Sequence, residues 1–154
     1  MEAVSKDLNA AVGSFYLKYK DIDNKMTSKR HTPKEWTLKE IIGHLVNSAS
    51  NHHQRFIGLQ FVSEMRYPEY QNFHLEWLER EKFNELDFAD LMLLWKQYNI
   101  FIAHVISKVD KSKLGNAFIM ETKTLTLKAL ITDYVNHLKG HLKQFEETLS
   151  QLRQ

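Results

Sequence analysis

The chain has 154 residues, 43% of them apolar and 26% charged, with two prolines, five glycines and no cysteine. Those values describe one ordinary globular domain, residues 1–154, large enough to bury a core unaided. They exclude disulfides, thiolate metal ligands and a cysteine nucleophile of the chain's own. The formal charge of +2, with both signs interspersed, leaves no basic block for nucleic acid. A charged N-terminus and the lack of any long apolar run predict neither a leader peptide nor a membrane span, so a cytoplasmic protein is expected.

Four segments carry a helical period. The first covers residues 4–21, with Leu8, Val12, Phe15 and Tyr19 as its apolar stripe. After a loop punctuated by Pro33, Thr37 opens the second. In "TLKE" the Thr37 hydroxyl can accept from the Glu40 N–H while the Glu40 carboxylate reaches back, a capping box. Leu38, Ile41, Leu45, Ala49, His52, Phe56 and Leu59 share one face of that helix, which leaves His53 and Arg55 for the bundle edge or a partner. Segment 62–86 is irregular and aromatic-rich; a connection of that length is functional or holds short helical turns of its own. Its Tyr67, Tyr70, Phe73 and Trp77 are candidates for a pocket wall or a cover over the bundle end.

Asp87 is the next N-cap, and the third helix runs to about residue 109 with Leu91, Leu94, Trp95, Tyr98, Ile102, Val105 and Val109 facing inward. The following connection has room for a short extended piece. Thr126 then caps a fourth helix reaching residue 152, whose stripe is Leu127, Leu130, Tyr134, His137, Leu138, His141, Phe145 and Leu149. The fold class is all-α, an antiparallel four-helix bundle. The long link between the second and third helices leaves room for another helix order.

Within "DYVNHLKGHLKQF", His137 and His141 are four residues apart, so their rings share a helix face and can converge on one ion. With eight histidines in the chain, about 0.4 such pairs are expected by chance, so spacing alone does not separate metal ligands from ordinary histidines. A third ligand has to come from another helix. His44, at the edge of the second helix's stripe, is the candidate, and Gly43 beside it would admit a backbone or ligand closely. There is no HExxH on the fourth helix, since Leu138, Lys139 and Gly140 separate the pair, and no Glu-x-x-His pair for a di-iron bundle. His52 and His74 are candidate proton carriers, His104 is a reserve ligand, and His31 lies in a loop.

"EWTLKEIIGHLVNSASNHHQRF", "LWKQYN" and "LTLKALITDYVNHLKGHLKQF" together resemble the DinB-like (DinB/YfiT-like) superfamily across roughly residues 36–145. The resemblance implies a four-helix bundle of distinctive helix order, common homodimers, and a divalent metal on three histidines, here His44, His137 and His141. Many members carry a histidine just before the last ligand; here Gly140 stands there, which opens space or removes an outer partner. Imidazole ligands suit Zn, Ni, Fe and Cu, and the ion expected here is a divalent one, Zn, Ni, Fe or Mn. The family includes bacillithiol- and mycothiol-dependent transferases and isomerases, yet a fold transfers no reaction by itself.

The expected function is therefore that of a metal-dependent enzyme acting on a small molecule. Its leading form presents a low-molecular-weight thiol co-substrate to an electrophile. The alternatives are hydrolysis by metal-activated water and a non-enzymatic stress-response or binding bundle with a vestigial metal site.

Overall fold

The computed structural model describes residues 1–68 and 73–154. Four long helices dominate: α1 (Glu2–Tyr19), α2 (Leu38–Gly58), α4 (Phe88–Lys108) and α5 (Leu127–Leu152), with a short α3 (His74–Glu81) between α2 and α4. Their starts follow the sequence signals. Thr37 Oγ1 accepts from the Glu40 N–H at 3.1 Å, and Glu40 Oε2 accepts from the Thr37 N–H at 2.9 Å. Asp87 accepts from the Ala89 and Asp90 N–H groups, and Thr126 from that of Ala129. Each cap satisfies N–H groups that the first helical turn leaves without a partner.

Side-chain pairings fix the helix directions. Ser5 Oγ donates to the Ala103 carbonyl and Phe15 meets Trp95, so α1 and α4 run oppositely. Asp7 pairs with Lys139 and Lys18 with Glu146, so α1 and α5 run parallel. His44 lies beside His141 and His52 beside Tyr134, so α2 opposes α5. The bundle is thus up-down-down-up, with α1 and α2 each packed between α4 and α5, and the expectation of an all-antiparallel arrangement is corrected. The reason lies in the connections. A helix of α2's 21 residues is about 32 Å long at 1.5 Å per residue. About ten extended residues span that distance, so the long α2–α4 link can return to the starting end.

The core is aromatic. Trp95, Tyr134, Phe56, Phe88 and Phe145 are fully buried, with Phe15 edge-on to both Trp95 and Phe145. The inward face of α4 is Phe88, Leu91, Met92, Trp95, Asn99, Ile102, Ala103, Val105 and Ile106, which keeps Leu91, Trp95, Ile102 and Val105 of the predicted stripe and centres about 60° away from it at 100° per residue. Leu94 is consequently 51% exposed rather than inward. Gly43 admits a ring rather than a neighbouring backbone: a Cβ there would lie 2.3 Å from Phe83 Cδ2.

The two irregular connections meet in a small sheet. Strands β1 (Glu64–Arg66), β2 (Ala117–Ile119) and β3 (Thr124–Thr126) lie in that order, β1 parallel to β2 and β2 antiparallel to β3. Met65, Phe118 and Leu125 pair across it on one face. The sheet brings Tyr67 and Phe118 against the C-terminal half of α2. Among the described residues no helix is long and apolar enough to cross a membrane.

Candidate metal centre

His44 sits in the second turn of α2 and is 9% exposed. His137 and His141 lie a turn apart on α5, His137 facing open space and His141 half-buried. The buried stripe of α5 is Leu127, Leu130, Ile131, Tyr134, Val135, Leu138, Leu142, Phe145 and Leu149; the two histidines flank it and look into a pocket, whereas the sequence placed them in the stripe. The three rings meet there. His137 Nε2 is 3.3 Å from His44 Nε2 and 3.1 Å from His141 Nε2, and one ligand atom from each residue fits within 4.8 Å of the others.

Those separations fit a shared cation. Two nitrogens bonded to one ion at about 2.1 Å stand about 3.0 Å apart at a right angle and about 3.4 Å apart at a tetrahedral one. The 3.1 and 3.3 Å seen here fall between. The proton inventory agrees. His141 Nδ1 is 2.7 Å from Gln144 Oε1, so Nδ1 carries the hydrogen and Nε2 offers a lone pair. Burial first, and then the imidazoles of His141 and His137, push His44 down to about 3. Burial, reinforced by His141 and opposed by Asp133, pushes His137 down to about 4. Burial also lowers His141, against the raising effect of Gln144. All three rings are neutral at pH 7, the form that ligates.

The pocket around them has a volume of about 510 Å³, within the usual range for small-molecule sites. Trp36, immediately before the N-cap of α2, stacks on His141 with ring centroids 6.0 Å apart and lies 5.0 Å from His44. His74 opens α3 and sets its ring edge-on to His44 at 5.7 Å. Tyr67 and Trp77 line the pocket, the first of the two roles open to them; Phe73 is exposed, and Tyr70 lies outside the described residues. His104 is on the exposed side of α4 and His31 pairs with Glu35, so neither joins the cluster.

His52 also lines the pocket, but both its nitrogens are engaged. Nδ1 donates to the Ser48 carbonyl at 2.8 Å, and Nε2 accepts from Arg55 Nη1 at 3.3 Å. Burial, then the Arg55 charge, pushes it down to about 3. Arg55 itself corrects the sequence reading. It is 7% exposed and faces the pocket, not the bundle edge, because the unforeseen strand β1 delivers Tyr67 over it. Asp133 was also missed, although a signal existed: it stands one turn before His137 in a D-x3-H-x3-H run. It is the one carboxylate among the described lining residues.

These depressed values predict acid sensitivity. In the unfolded chain the histidines take protons below about pH 6.5, while in the folded chain His44, His52 and His137 resist until about pH 3–4. Stability is therefore full above about pH 6.5 and declines as the pH falls, by up to about 1.4 kcal/mol per pH unit for each of His44 and His52 and by less for His137, whose exposed side water screens. Thermal unfolding of metal-free protein followed from about pH 7.5 to about pH 5 should show Tm level down to about pH 6.5 and falling below it; a profile flat to about pH 5 contradicts the burial described.

The fold is shared with solved structures of other proteins. Two solved structures carry the comparison. YfiT from Bacillus subtilis, described as a probable metal-dependent hydrolase with an unusual four-helix bundle topology, superposes with a TM-score of 0.82 at 16% identity, over 97% of this chain and 85% of that one. YjoA, a DinB-like protein from the same organism, gives a TM-score of 0.66 at 11% identity, over 99% and 92% of the two chains. At such identities the likeness is one of fold. No family model matches the sequence, and no curated protein matches it.

Proposed function

We propose that this chain is a divalent-metal-dependent enzyme of hydrolytic type, with its ion on the Nε2 atoms of His44, His137 and His141. The convergence of those three atoms, at 3.1 and 3.3 Å from His137 to its two neighbours, carries the reading. The description of YfiT as a probable metal-dependent hydrolase supports the reaction class. An ion held there supplies a Lewis acid that lowers the pKa of water or a thiol.

The chain's own side chains do the rest. Gln144 holds the His141 tautomer, and Trp36 packs beside His44 and His141 to keep their rings in place. Asp133 and His74 line the pocket and serve as proton carriers. His52 is less suited to that task, since Ser48 and Arg55 occupy its nitrogens.

Thiol-dependent transfer remains the second reading. A pocket of about 510 Å³ has room for a thiol beside an electrophile, and a chain without cysteine must take its thiol from outside. A small-molecule substrate, a cytoplasmic location and a homodimer belong to the same proposal; the exposed Leu93, Leu94, Ile100 and Phe101 on α4 support the last. The deciding assay offers metal-loaded protein model esters and amides, then thiols with epoxides or alkyl halides. Metal-dependent ester or amide cleavage supports hydrolysis, and turnover that requires thiol replaces it with transfer. Inactivity on every substrate despite stoichiometric metal makes the protein a binding bundle.

A further inference from the structure

Helix α4 is apolar on two sides. One is buried in the core. On the other, Leu93, Leu94, Ile100 and Phe101 are each 40–51% exposed. With the exposed Asp90, Gln97, His104 and Lys108 they fall within an arc of about 120° at 100° per residue, so they form one continuous face. Four large apolar side chains together on an exposed helix face mark a contact surface, whereas scattered ones would need no explanation.

The order of residues along this face identifies what covers it. Gln97 stands in the middle. Leu94 and Leu93 lie three and four residues before it, and Ile100 and Phe101 three and four after. Asp90 lies seven before and His104 seven after, with the Lys108 cation one turn further on. A second copy of the helix, turned end for end about Gln97, therefore matches apolar residues to apolar residues and the acidic end to the basic end. We propose that α4 is the two-fold interface of a homodimer, the two α4 helices antiparallel and the axis passing beside Gln97. Leu94 and Leu93 then meet the partner's Ile100 and the partner's Phe101, and Asp90 faces the partner's His104. The same contacts repeat on the other side, as a two-fold interface requires. Antiparallel helices also bring opposite ends of their macrodipoles together. This rests on the homodimer of the proposed function and adds its face, direction and register. No described residue of α4 lines the metal pocket, so each pocket is complete without the partner.

The chain has no cysteine, so a disulfide in Gln97→Cys can only join two copies at that position. Helix axes about 8–10 Å apart place facing Cα atoms roughly 4–6 Å apart, within disulfide reach. Oxidised Gln97→Cys should run almost wholly as a covalent dimer on a denaturing gel. Lys128→Cys, exposed on α5, should stay mostly monomeric. In sedimentation, wild type should have twice the chain mass, and Leu94→Glu and Phe101→Glu the mass of one chain with wild-type metal content. Asp90→Asn should weaken self-association at low salt by about two- to fivefold, the range of an exposed charge pair. Parallel helices would set Asp90 beside its own copy, and the same change would tighten the dimer. Monomeric wild type overturns the homodimer and this interface together and leaves the stripe to a different partner. The interface alone is overturned if wild type is dimeric and Gln97→Cys cross-links no better than Lys128→Cys, if folded Leu94→Glu and Phe101→Glu remain dimers, or if Asp90→Asn tightens the dimer or leaves it unchanged.

Discussion

Replacing His44, His137 or His141 by alanine, one at a time, is expected to remove stoichiometric divalent metal from the purified protein. Each ring supplies one lone pair to a shared point, since the Nε2 atoms stand 3.1 and 3.3 Å apart around His137. Deleting one leaves two donors and an open solvent path at the exposed His137 side. Loss of an outer partner alone lowers metal affinity about ten- to a hundredfold; loss of a direct ligand should exceed that. Gln144→Ala supplies the internal comparison. It leaves all three imidazoles in place but frees the His141 tautomer that the 2.7 Å bond to Gln144 holds, so its loss should stay within the outer-partner range. Titration against a competing chelator separates the two levels, with circular dichroism confirming that each variant is folded. Full metal retention in all three alanine variants would dismantle the site.

The local chemistry of this site was more legible in the sequence than its surroundings. The capping signals at Thr37, Asp87 and Thr126 placed the helix starts to the residue, because a cap is a matter of four neighbouring positions. The i,i+4 pair on α5 was legible for the same reason, as spacing on a rigid helix is local information; His44 on α2 was a candidate from its place at the edge of the stripe, and the family resemblance joined it to the pair. The helix order was not. Apolar stripes report which face is buried and say nothing of which neighbour buries it, so an up-down-down-up path was indistinguishable from an antiparallel one. Arg55 was misplaced by the same gap. Its burial depends on Tyr67 and Phe118, and these arrive through three-residue strands too short to leave a period of two in the sequence. Segment 62–86 was expected to hold short helical turns and His74 to be a candidate at the site; what stayed hidden was the geometry that sets His74 edge-on to His44, because aromatic content announces a pocket wall without its arrangement.

Gly43→Ala is expected to destabilise the protein even though two general effects favour it. Alanine is the better helix former by about 1 kcal/mol, and it also narrows the unfolded ensemble. Against this, the new Cβ would sit 2.3, 2.4 and 2.5 Å from Cδ2, Cγ and Cε2 of Phe83, where carbon contacts normally stand about 3.5–4.0 Å apart. The ring would have to move by more than 1 Å, and its surroundings resist. Phe83 is buried and opens a tight turn whose Asn84 accepts from Thr37 Oγ1 at 2.8 Å and donates to Glu40 at 2.9 Å. Lys39 Nζ donates to the carbonyls of Asn84 and Leu86, fastening the same turn to α2. Overpacking a well-filled site costs about 1–3 kcal/mol, and expelling the ring forfeits about 1.5–3 kcal/mol of its burial. Steric overlap therefore outweighs helix propensity, for a net loss of up to about 2 kcal/mol once the gain of about 1 kcal/mol is subtracted, and a fall in Tm of up to roughly 6 °C. Because His44 is the next residue, the shift should also weaken metal binding, which a purely global destabilisation of folded protein would leave unchanged. Trimming the ring with Phe83→Leu in the Gly43→Ala background should recover part of both losses, a coupling that only contacting residues show. A higher Tm for Gly43→Ala would mean that the ring yields freely and that α2 is not held at His44 by this turn.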